Sequence, residues 1–207
     1  MNVVVLDVRH KSMKNFNYLV ADTNGGRAAI VDPAWEIDKI DRAIADPDHI
    51  DLAKQVSEKY DCPIWMSHAE IAASQFHAAR LVGIDAHPWT VGELLIEPIH
   101  TPGHTPGSTC YLIGDNLFTG DVLFAEGCGI CPDLNAAHAM FASLERLKTR
   151  LALHTRIFPG HSYGQPPGRL MSQVRRENIY LQFSNKESFA AFRLRRGQDR
   201  ARLFNFH

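Results

Sequence analysis

The chain has 207 residues, of which 45% are hydrophobic and 22% are charged, and its formal net charge at pH 7 is −1. These values are typical of a globular protein, so we exclude a disordered chain and expect residues 1–207 to form a single domain. The balance of 22 basic and 23 acidic residues makes no field that would attract nucleic acid or an anionic membrane surface. No apolar stretch approaches the ~20 residues of a membrane span, and neither a secretory leader nor a disulfide framework is visible, so we expect a cytoplasmic protein.

Short strands separated by turns are predicted in the first third of the chain, over residues 3–8, 17–22 and 28–31. The step Asn24-Gly25-Gly26 favours a hairpin, because these residues accept positive φ at little cost. Helical spacing of apolar residues then predicts helices over 36–45, 52–60 and 69–80, with a short buried strand over 63–66.

The second half repeats this order. Strands are predicted over 94–100, 109–113, 116–119 and 156–158, with a helix over 136–147. Two strand clusters that alternate with helices indicate a layered α+β fold with internal pseudo-symmetry. We interpret the tail, residues 170–207, as helical, with phenylalanines packed inward and arginines in solvent; the alternative is a docking patch for an acidic or phosphate-bearing partner.

Three predicted strand ends share one feature, a glycine followed at once by a side chain that can bind a metal ion. The side chains are His104, Asp121 and His161. Glycine allows a sharp turn that directs the next side chain away from the sheet edge.

Asp48 and His49 follow Pro47 and open a helix, where a carboxylate or a bound anion is favoured. Imidazoles and carboxylates suit zinc, iron or manganese, and zinc is the default.

The segments that carry these side chains resemble the motifs of the metallo-β-lactamase superfamily and, within it, of the glyoxalase II-like thioester hydrolases. They are His100-Thr-Pro-Gly-His-Thr-Pro-Gly-Ser108, Phe118-Thr-Gly-Asp-Val-Leu-Phe124 and Pro159-Gly160-His161. The resemblance covers nearly the whole chain and implies a four-layer αββα sandwich that holds two zinc ions.

The same resemblance implies a role for each ligand. Asp121 would bridge two metal ions, His104 would serve the first site, and Asp48, His49 and His161 would serve the second. Asp32, at the end of a strand, would brace the ligands from behind.

One departure from the family is large, since its motif His-x-His-x-Asp-His is reduced here to Pro47-Asp48-His49. We favour the interpretation that a segment with a strand and two histidines is missing from the sequence between about Ile44 and Pro47, because deleting a buried strand would leave its neighbours without hydrogen-bond partners. A Cα–Cα step across residues 44–48 wider than about 3.8 Å would reveal such a gap. The alternative is a first site reduced to His104 and Asp121, in an impaired or mononuclear enzyme.

The substrate class follows from a further resemblance. Glyoxalase II enzymes hold glutathione with a Lys and a Tyr after a Gly-Cys-Gly step, whereas here Gly127-Cys-Gly129 continues as Ile130-Cys-Pro-Asp133, so those contacts are lost. Segments 118–133, 158–164 and 188–195 are most similar to the zinc hydrolases encoded with trans-acyltransferase polyketide synthases. This implies hydrolysis of an acyl thioester, on an acyl carrier protein or linked to CoA or pantetheine, by a metal-bound hydroxide that Asp48 orients.

Several alternatives stay open. Persulfide dioxygenases share the implied fold and use one iron ion, and a non-catalytic metal-binding protein is the better interpretation if the His-x-His half is truly absent.

Cys128 and Cys131 have C-x-x-C spacing, but without a thioredoxin-like context we expect buried structural thiols. His68 and His138 are candidates for the pocket wall. Arg195 and Arg196 are candidates for docking an acidic carrier domain, and Trp35, Trp65 and Trp89 are predicted in the core.

Overall fold

The computed structural model of the protein describes residues 1–10, 13–24, 26–33 and 50–195. These residues form strands β1 (Asn2–His10), β2 (Met13–Asp22), β3 (Arg27–Val31), β4 (Ile64–Ser67), β5 (Leu81–Ile84), β6 (Trp89–Val91), β7 (Leu94–His100), β8 (Thr109–Ile113), β9 (Asn116–Gly120), β10 (Arg156–Pro159) and β11 (Arg169–Leu170). The helices are α1 (Ile50–Tyr60), α2 (His68–Ser74), α3 (Leu134–Arg150), α4 (Met171–Glu177) and α5 (Lys186–Arg193), with a 3-10 turn at Ile179–Leu181.

The first three strands form an antiparallel sheet in the order β1-β2-β3, which confirms the predicted hairpin. The turn between β2 and β3 pairs Asp22 with Arg27 in register. The Asp22 carboxylate accepts a hydrogen bond from the amide of Asn24 (3.0 Å), and Gly26 has φ +63°. A short polar side chain and a residue with left-handed backbone thus close the turn, as the sequence predicts.

The second sheet has six strands in the order β11-β10-β9-β8-β7-β6. Strand β10 is parallel to β9, and the pairs β7–β8 and β8–β9 are antiparallel. Strands β7, β9 and β10 therefore run in the same direction, and their carboxyl ends meet at one edge of the sheet.

The two sheets pack face to face through aromatic side chains. The Tyr18 ring, on β2, lies 5.2 Å from the Phe118 ring and 5.4 Å from the Phe158 ring, measured between centroids. Tyr18 also donates its hydroxyl hydrogen to the carbonyl of Pro159 (2.5 Å). Buried aromatic surface is a large source of stability, and this hydrogen bond satisfies the one polar atom of the Tyr18 side chain.

Helices cover the other face of the six-stranded sheet. Side chains of α3 and α5 share a core with those of β9 and β10, including Met140, Leu144, Leu147, Phe189, Leu117 and Ile157. With α1, α2 and the parallel pair β4–β5 elsewhere in the chain, the protein has the predicted α+β sandwich. No helix in the described ranges combines the length and apolarity needed to cross a membrane.

Some predicted elements differ from those observed. The helix predicted over 69–80 ends at Ser74, because Gln75 adopts the left-handed conformation (φ 54°) and caps the helix through the carbonyl of Ile71. Strands β5 and β6 were not predicted. The predicted helix 36–45 lies outside the described residues, as does Trp35.

The side chains predicted in the core and the tail are partly confirmed. Cys128 and Cys131 are buried free thiols, as expected. Trp65 and Trp89 are only half-buried, with ring centroids 5.6 Å apart. In the tail, Phe189 is buried as predicted, but Arg193 is also buried, which the prediction of solvated arginines did not anticipate.

Candidate metal centre

The loops that follow β7, β9 and β10 bring three predicted ligands to one edge of the six-stranded sheet. His104 lies in the loop after β7, Asp121 directly follows β9, and His161 follows β10 after one glycine. The amide of Gly160 donates to the carbonyl of Gly120 (2.9 Å), which ties the last two loops together. The direction of the three strands therefore accounts for the cluster.

The Asp121 carboxylate lies between the two imidazoles. Its Oδ2 atom is 3.4 Å from Nε2 of His104, and its Oδ1 atom is 3.3 Å from Nε2 of His161. The three side chains are 16% to 29% exposed, so the group is partly shielded but reachable. One carboxylate thus presents a different oxygen to each imidazole.

The hydrogen bond at Nδ1 of His104 determines the state of the other ring nitrogen, Nε2. Its Nδ1 atom lies 3.0 Å from the carbonyl oxygen of Ile130, which can only accept, so Nδ1 carries the hydrogen. Nε2 then points a lone pair toward an ionised carboxylate, and this contact is favourable only with a second proton or a cation bound between the two. Two ligand atoms on a tetrahedral zinc ion are about 3.3 Å apart, since each lies about 2.0 Å from the metal. The donor set and both distances fit a divalent metal ion.

The described residues contribute only part of a complete site. Within residues 1–10, 13–24, 26–33 and 50–195, no group of three or more His, Cys, Asp or Glu side chains that could hold one ion is present. Asp121 is the side chain that lies close to both imidazoles. Asp48 and His49 lie outside the described residues, as does the step across residues 44–48, so their roles and the missing segment stay predictions.

The electrostatic setting keeps Asp121 ionised. Burial would raise the pKa of its carboxyl group, but the hydrogen bond and charge of His161 and the charge of His104 outweigh burial and lower the pKa below its ordinary value. An ionised carboxylate at neutral pH is the form that binds a metal ion.

Asp32 lies behind this group, at the end of β3. Its backbone is left-handed (φ 48°), an uncommon conformation for a residue that precedes proline, and its carbonyl accepts from the side-chain amide of Asn17 (2.7 Å). A Cβ built on Gly120 would lie 3.4 Å from Oδ2 of Asp32, so the carboxylate packs on the residue before Asp121. Burial, and next the charge of Asp121, raise the pKa of Asp32 to about 6, while His161 lowers it.

A cavity of about 280 Å³ opens beside His104 and Asp121. Its other walls are Phe124, Glu126, Gly127, Cys128, Gly129, Ile130, Tyr163, Tyr180 and Arg193. His68 and His138 are not on these walls. His68 lies against Gly83, where a Cβ would come within 2.2 Å of its ring, and the Nε2 atom of His138 is buried without a hydrogen bond. Their place in a pocket stays a prediction that this cavity does not support.

Arg193 is a cavity residue that the sequence patterns did not single out. It is 6% exposed, ends α5, and donates from Nη1 to the hydroxyl of Tyr180 (2.8 Å). It belongs to a run of arginines, so its spacing alone could not separate it from the solvated ones. The only available signal was that α5 must bury one face, and Arg193 lies one turn after Phe189 and Ala190 on that face.

Comparisons with known proteins agree with this fold. The metallo-beta-lactamase superfamily model matches residues 45–204. The protein named "Probable polyketide biosynthesis zinc-dependent hydrolase BaeB" from Bacillus velezensis is 40% identical over 213 positions, which cover 95% of this chain and 94% of the relative. The corresponding protein PksB from Bacillus subtilis is 34% identical and covers 93% of each chain. A hydroxyacylglutathione hydrolase from Brucella ovis is 33% identical, over 77% of this chain and 62% of the relative.

Solved structures show the same architecture. ETHE1 from Myxococcus xanthus superposes with a TM-score of 0.79 at 23% identity and covers 97% of this chain and 94% of its own. A metallo-beta-lactamase from Staphylococcus aureus also gives 0.79, at 20% identity, and covers 94% of this chain and 67% of its own. The match over residues 45–204, with the two packed sheets and the candidate ligands near the strand ends, shows that this chain belongs to the metallo-β-lactamase superfamily.

Proposed function

We propose that the protein is a metal-dependent hydrolase that cleaves acyl thioesters formed during polyketide biosynthesis. One observation carries the hydrolase assignment: the Asp121 carboxylate faces His104 with one oxygen and His161 with the other, at 3.4 and 3.3 Å. This arrangement suits two metal positions that share one carboxylate.

The relatives support the class of substrate. Two proteins named as zinc-dependent hydrolases of polyketide biosynthesis match this chain at 40% and 34% identity over nearly their whole lengths. The alignment with the first spans 213 positions, more than the 207 residues of this chain, so that relative has residues with no counterpart here. Such residues are expected in the relative if a segment is missing near Pro47.

The residues of the site divide the work between them. His104, Asp121 and His161 would hold the metal ions with Asp48 and His49, and Asp32 would steady the backbone before Asp121. A bound zinc ion lowers the pKa of a coordinated water and polarises the acyl carbonyl. The site residues fix where the acyl carbon lies relative to the ion, which is the part of catalysis that the protein supplies.

The cavity walls favour an acyl group over glutathione. Phe124, Ile130 and Tyr163 give an apolar surface next to the candidate ligands, suited to a hydrocarbon chain.

Arg193 contributes a positive charge to the cavity wall, where it would orient an anionic or carbonyl oxygen of the substrate. Arg193→Leu should therefore raise KM more than it lowers kcat, whereas Tyr180→Phe, which removes only the Arg193 hydrogen bond to the hydroxyl, should have a smaller effect in the same direction.

The central test is hydrolysis of a short acyl-pantetheine thioester by protein loaded with Zn²⁺, compared with the matching oxygen ester and with S-lactoylglutathione. We expect cleavage of the pantetheine thioester that chelation abolishes and added Zn²⁺ restores. His161→Ala and Asp121→Asn should each lower kcat/KM at least 100-fold. His154→Ala is the matched control, because His154 also contacts a carboxylate, that of Asp115 (3.1 Å), but at an exposed position before the amino ends of β9 and β10, whereas Asp121 and His161 follow their carboxyl ends.

Two results would contradict the proposal. If the protein bound zinc but hydrolysed no thioester, it would be a metal-binding protein without the proposed activity. Purified protein that holds iron and consumes oxygen with glutathione persulfide would make it an oxidoreductase of the persulfide dioxygenase type.

An acidic acyl carrier protein is the proposed source of the thioester. Arg195 follows α5, is exposed, and stacks its guanidinium on the Phe192 ring (3.8 Å), so it presents a fixed charge two residues from the cavity residue Arg193. Arg195→Glu should weaken binding of a carrier protein without changing hydrolysis of the free pantetheine thioester. Arg196, the other predicted docking residue, lies outside the described residues. Unchanged carrier affinity in both Arg195→Glu and Arg196→Glu would exclude this surface.

A further inference from the structure

The loop that carries His104 packs against the start of helix α2 and forms hydrogen bonds with it. A Cβ built on Gly107 would come within 2.1 Å of the backbone nitrogen of Glu70, so the loop and the helix are in direct contact. Ser67, the residue before the helix, donates its hydroxyl hydrogen to the carbonyl of Gly107 (2.7 Å) and accepts from the amide of Glu70 (3.1 Å). The helix start and the loop therefore share one hydrogen-bond network.

The Glu70 side chain joins this network at the residue next to His104. Thr105 Oγ1 lies 2.5 Å from Oε2 of Glu70 and 2.8 Å from the hydroxyl of Ser108. A carboxylate can only accept, so Thr105 donates to Glu70, and Ser108 must then donate to Thr105. The amide of Thr105 closes the ring by donating to the Ser108 hydroxyl (3.0 Å). The Glu70 carboxylate thus sets the direction of the hydrogen bond between the Thr105 and Ser108 hydroxyls.

This ring restrains the backbone on the carboxyl side of His104. On the other side of the imidazole, the Ile130 carbonyl holds Nδ1 at 3.0 Å, and this contact leaves Nε2 toward Asp121. A shift of the loop by a fraction of an ångström would lengthen that contact and free the ring to change tautomer. Loss of a direct hydrogen-bond partner of a metal-ligating histidine, as the Ile130 carbonyl would be here, typically changes metal affinity 10-fold to 100-fold, and Glu70 acts one residue further away through Thr105.

We propose that Glu70 is a positioning residue that acts through Thr105 to hold the imidazole of His104 in its ligating orientation. The proposal rests on the proposed function only in taking His104 as a metal ligand. Glu70 contacts neither the imidazole nor Asp121, so its effect on the centre passes through the loop.

The test compares Glu70→Ala, Thr105→Val and the double variant with the unmodified protein. Metal affinity is measured by titrating Zn²⁺ against a chromophoric chelator, and the imidazole nitrogens of metal-free, ¹⁵N-labelled protein are observed by NMR. Each single variant should lose about 10-fold in affinity for the metal ion that His104 binds. The double variant should lose no more than Thr105→Val alone, because both changes break the same link. The His104 nitrogens should change from one tautomer to an average of two.

Matched variants separate positioning from general stability. Glu70→Gln keeps an acceptor oxygen for Thr105 and should retain affinity within about 3-fold, and Thr105→Ser keeps the hydroxyl and should behave likewise. Glu58→Ala removes an exposed glutamate from α1 and should change neither readout. Thermal unfolding of each metal-free variant identifies any that fails to fold.

The outcomes are distinct. Full metal affinity and an unchanged His104 tautomer in folded Glu70→Ala would overturn the proposal, as would additive losses in the double variant. If the unmodified protein bound no metal, the proposed function would fail by itself, and the tautomer of His104 would still decide whether Glu70 positions it.

Discussion

Among single residues, Gly129 shows how closely the centre is packed. A Cβ at this position would lie 1.9 Å from the carbonyl oxygen of Asp121 and 3.2 Å from Nδ1 of His104. Gly129→Ala must therefore displace the backbone of Asp121, a candidate ligand, and we expect a loss of about 1 to 3 kcal/mol in the free energy of unfolding together with weakened metal binding.

Gly127→Ala provides the control for this substitution in the same loop. Its added Cβ would meet only the Tyr180 ring, at 3.6 Å, which is ordinary contact. Urea denaturation and metal titration of the two variants should differ clearly, and equal effects would contradict the close packing at Gly129.

Asp32 makes the metal-free protein sensitive to pH. Its pKa is raised to about 6 in the folded protein, so between pH 4 and 6 the folded state binds more protons than the unfolded state, and stability falls as pH rises through this range. The raised pKa corresponds to roughly 2 to 3 kcal/mol at most. Asp32→Asn should remove this decline, and asparagine accepts the left-handed backbone.

The measurement is urea denaturation of chelator-treated protein from pH 4 to pH 7. Asp61→Asn is the matched control, because Asp61 also has a left-handed backbone (φ 50°) but an exposed side chain. If the fall in stability with rising pH persisted in Asp32→Asn and disappeared in Asp61→Asn, Asp61 and not Asp32 would be its cause.

The candidate ligands could be predicted residue by residue, whereas their contacts could not. Glycine directly before His104, Asp121 and His161 marks each as a side chain that follows a turn at or shortly after a strand end, which a local pattern can reveal. That Asp121 lies between the two imidazoles depends on the order of β7, β9 and β10 in the sheet, and strand order is set by packing over the whole chain. Arg193 escaped prediction for the same reason, since its burial depends on the fold around α5.

Between elements, one buried side chain fixes the turn that follows Asp121. Asn178, which is fully buried between α4 and the 3-10 turn, donates to the carbonyls of Phe124 (3.0 Å) and Gly127 (2.9 Å). Asn178→Ala leaves both carbonyls without this donor and should cost about 2 to 3 kcal/mol in the free energy of unfolding.

A second asparagine at a helix start gives the comparison. Asn185 caps α5 from an exposed position by accepting from the amide of Ser188 (2.8 Å), so Asn185→Ala should cost only about 1 kcal/mol. Denaturant unfolding measures both values, and a loss at Asn178 no larger than that at Asn185 would show that the turn holds without its anchor.

Elements with strong local signals were predicted well, and those that depend on partners were not. Alternating apolar residues and glycine turns mark β7, β8 and β9, which were predicted to within one residue. The end of α2 was predicted six residues too late, because the apolar spacing continues after Ser74 although Gln75 turns the backbone. Strands β5 and β6 have four and three residues, too few for a period to be visible.

For the whole molecule, metal binding should raise the free energy of unfolding. An ion that binds only the folded state adds about 2.7 kcal/mol at a concentration of 100 times its Kd. In a protein of this size that corresponds to a rise of roughly 5 to 10 °C in Tm. Thermal unfolding of chelator-treated protein with and without Zn²⁺ measures the shift, and Asp121→Asn should abolish most of it. A Tm unaffected by Zn²⁺, Fe²⁺ and Mn²⁺ would contradict a metal centre.

The position of Asp121 between His104 and His161 has a thermodynamic consequence. Two ions that share one carboxylate cannot bind independently, and the influence of each on the other must be equal in free energy. If two ions bind, occupancy of the position at His104 would therefore change the affinity of the position at His161, and the reverse. In such a protein the supply of the second ion would tune the affinity, and with it the reactivity, of the first.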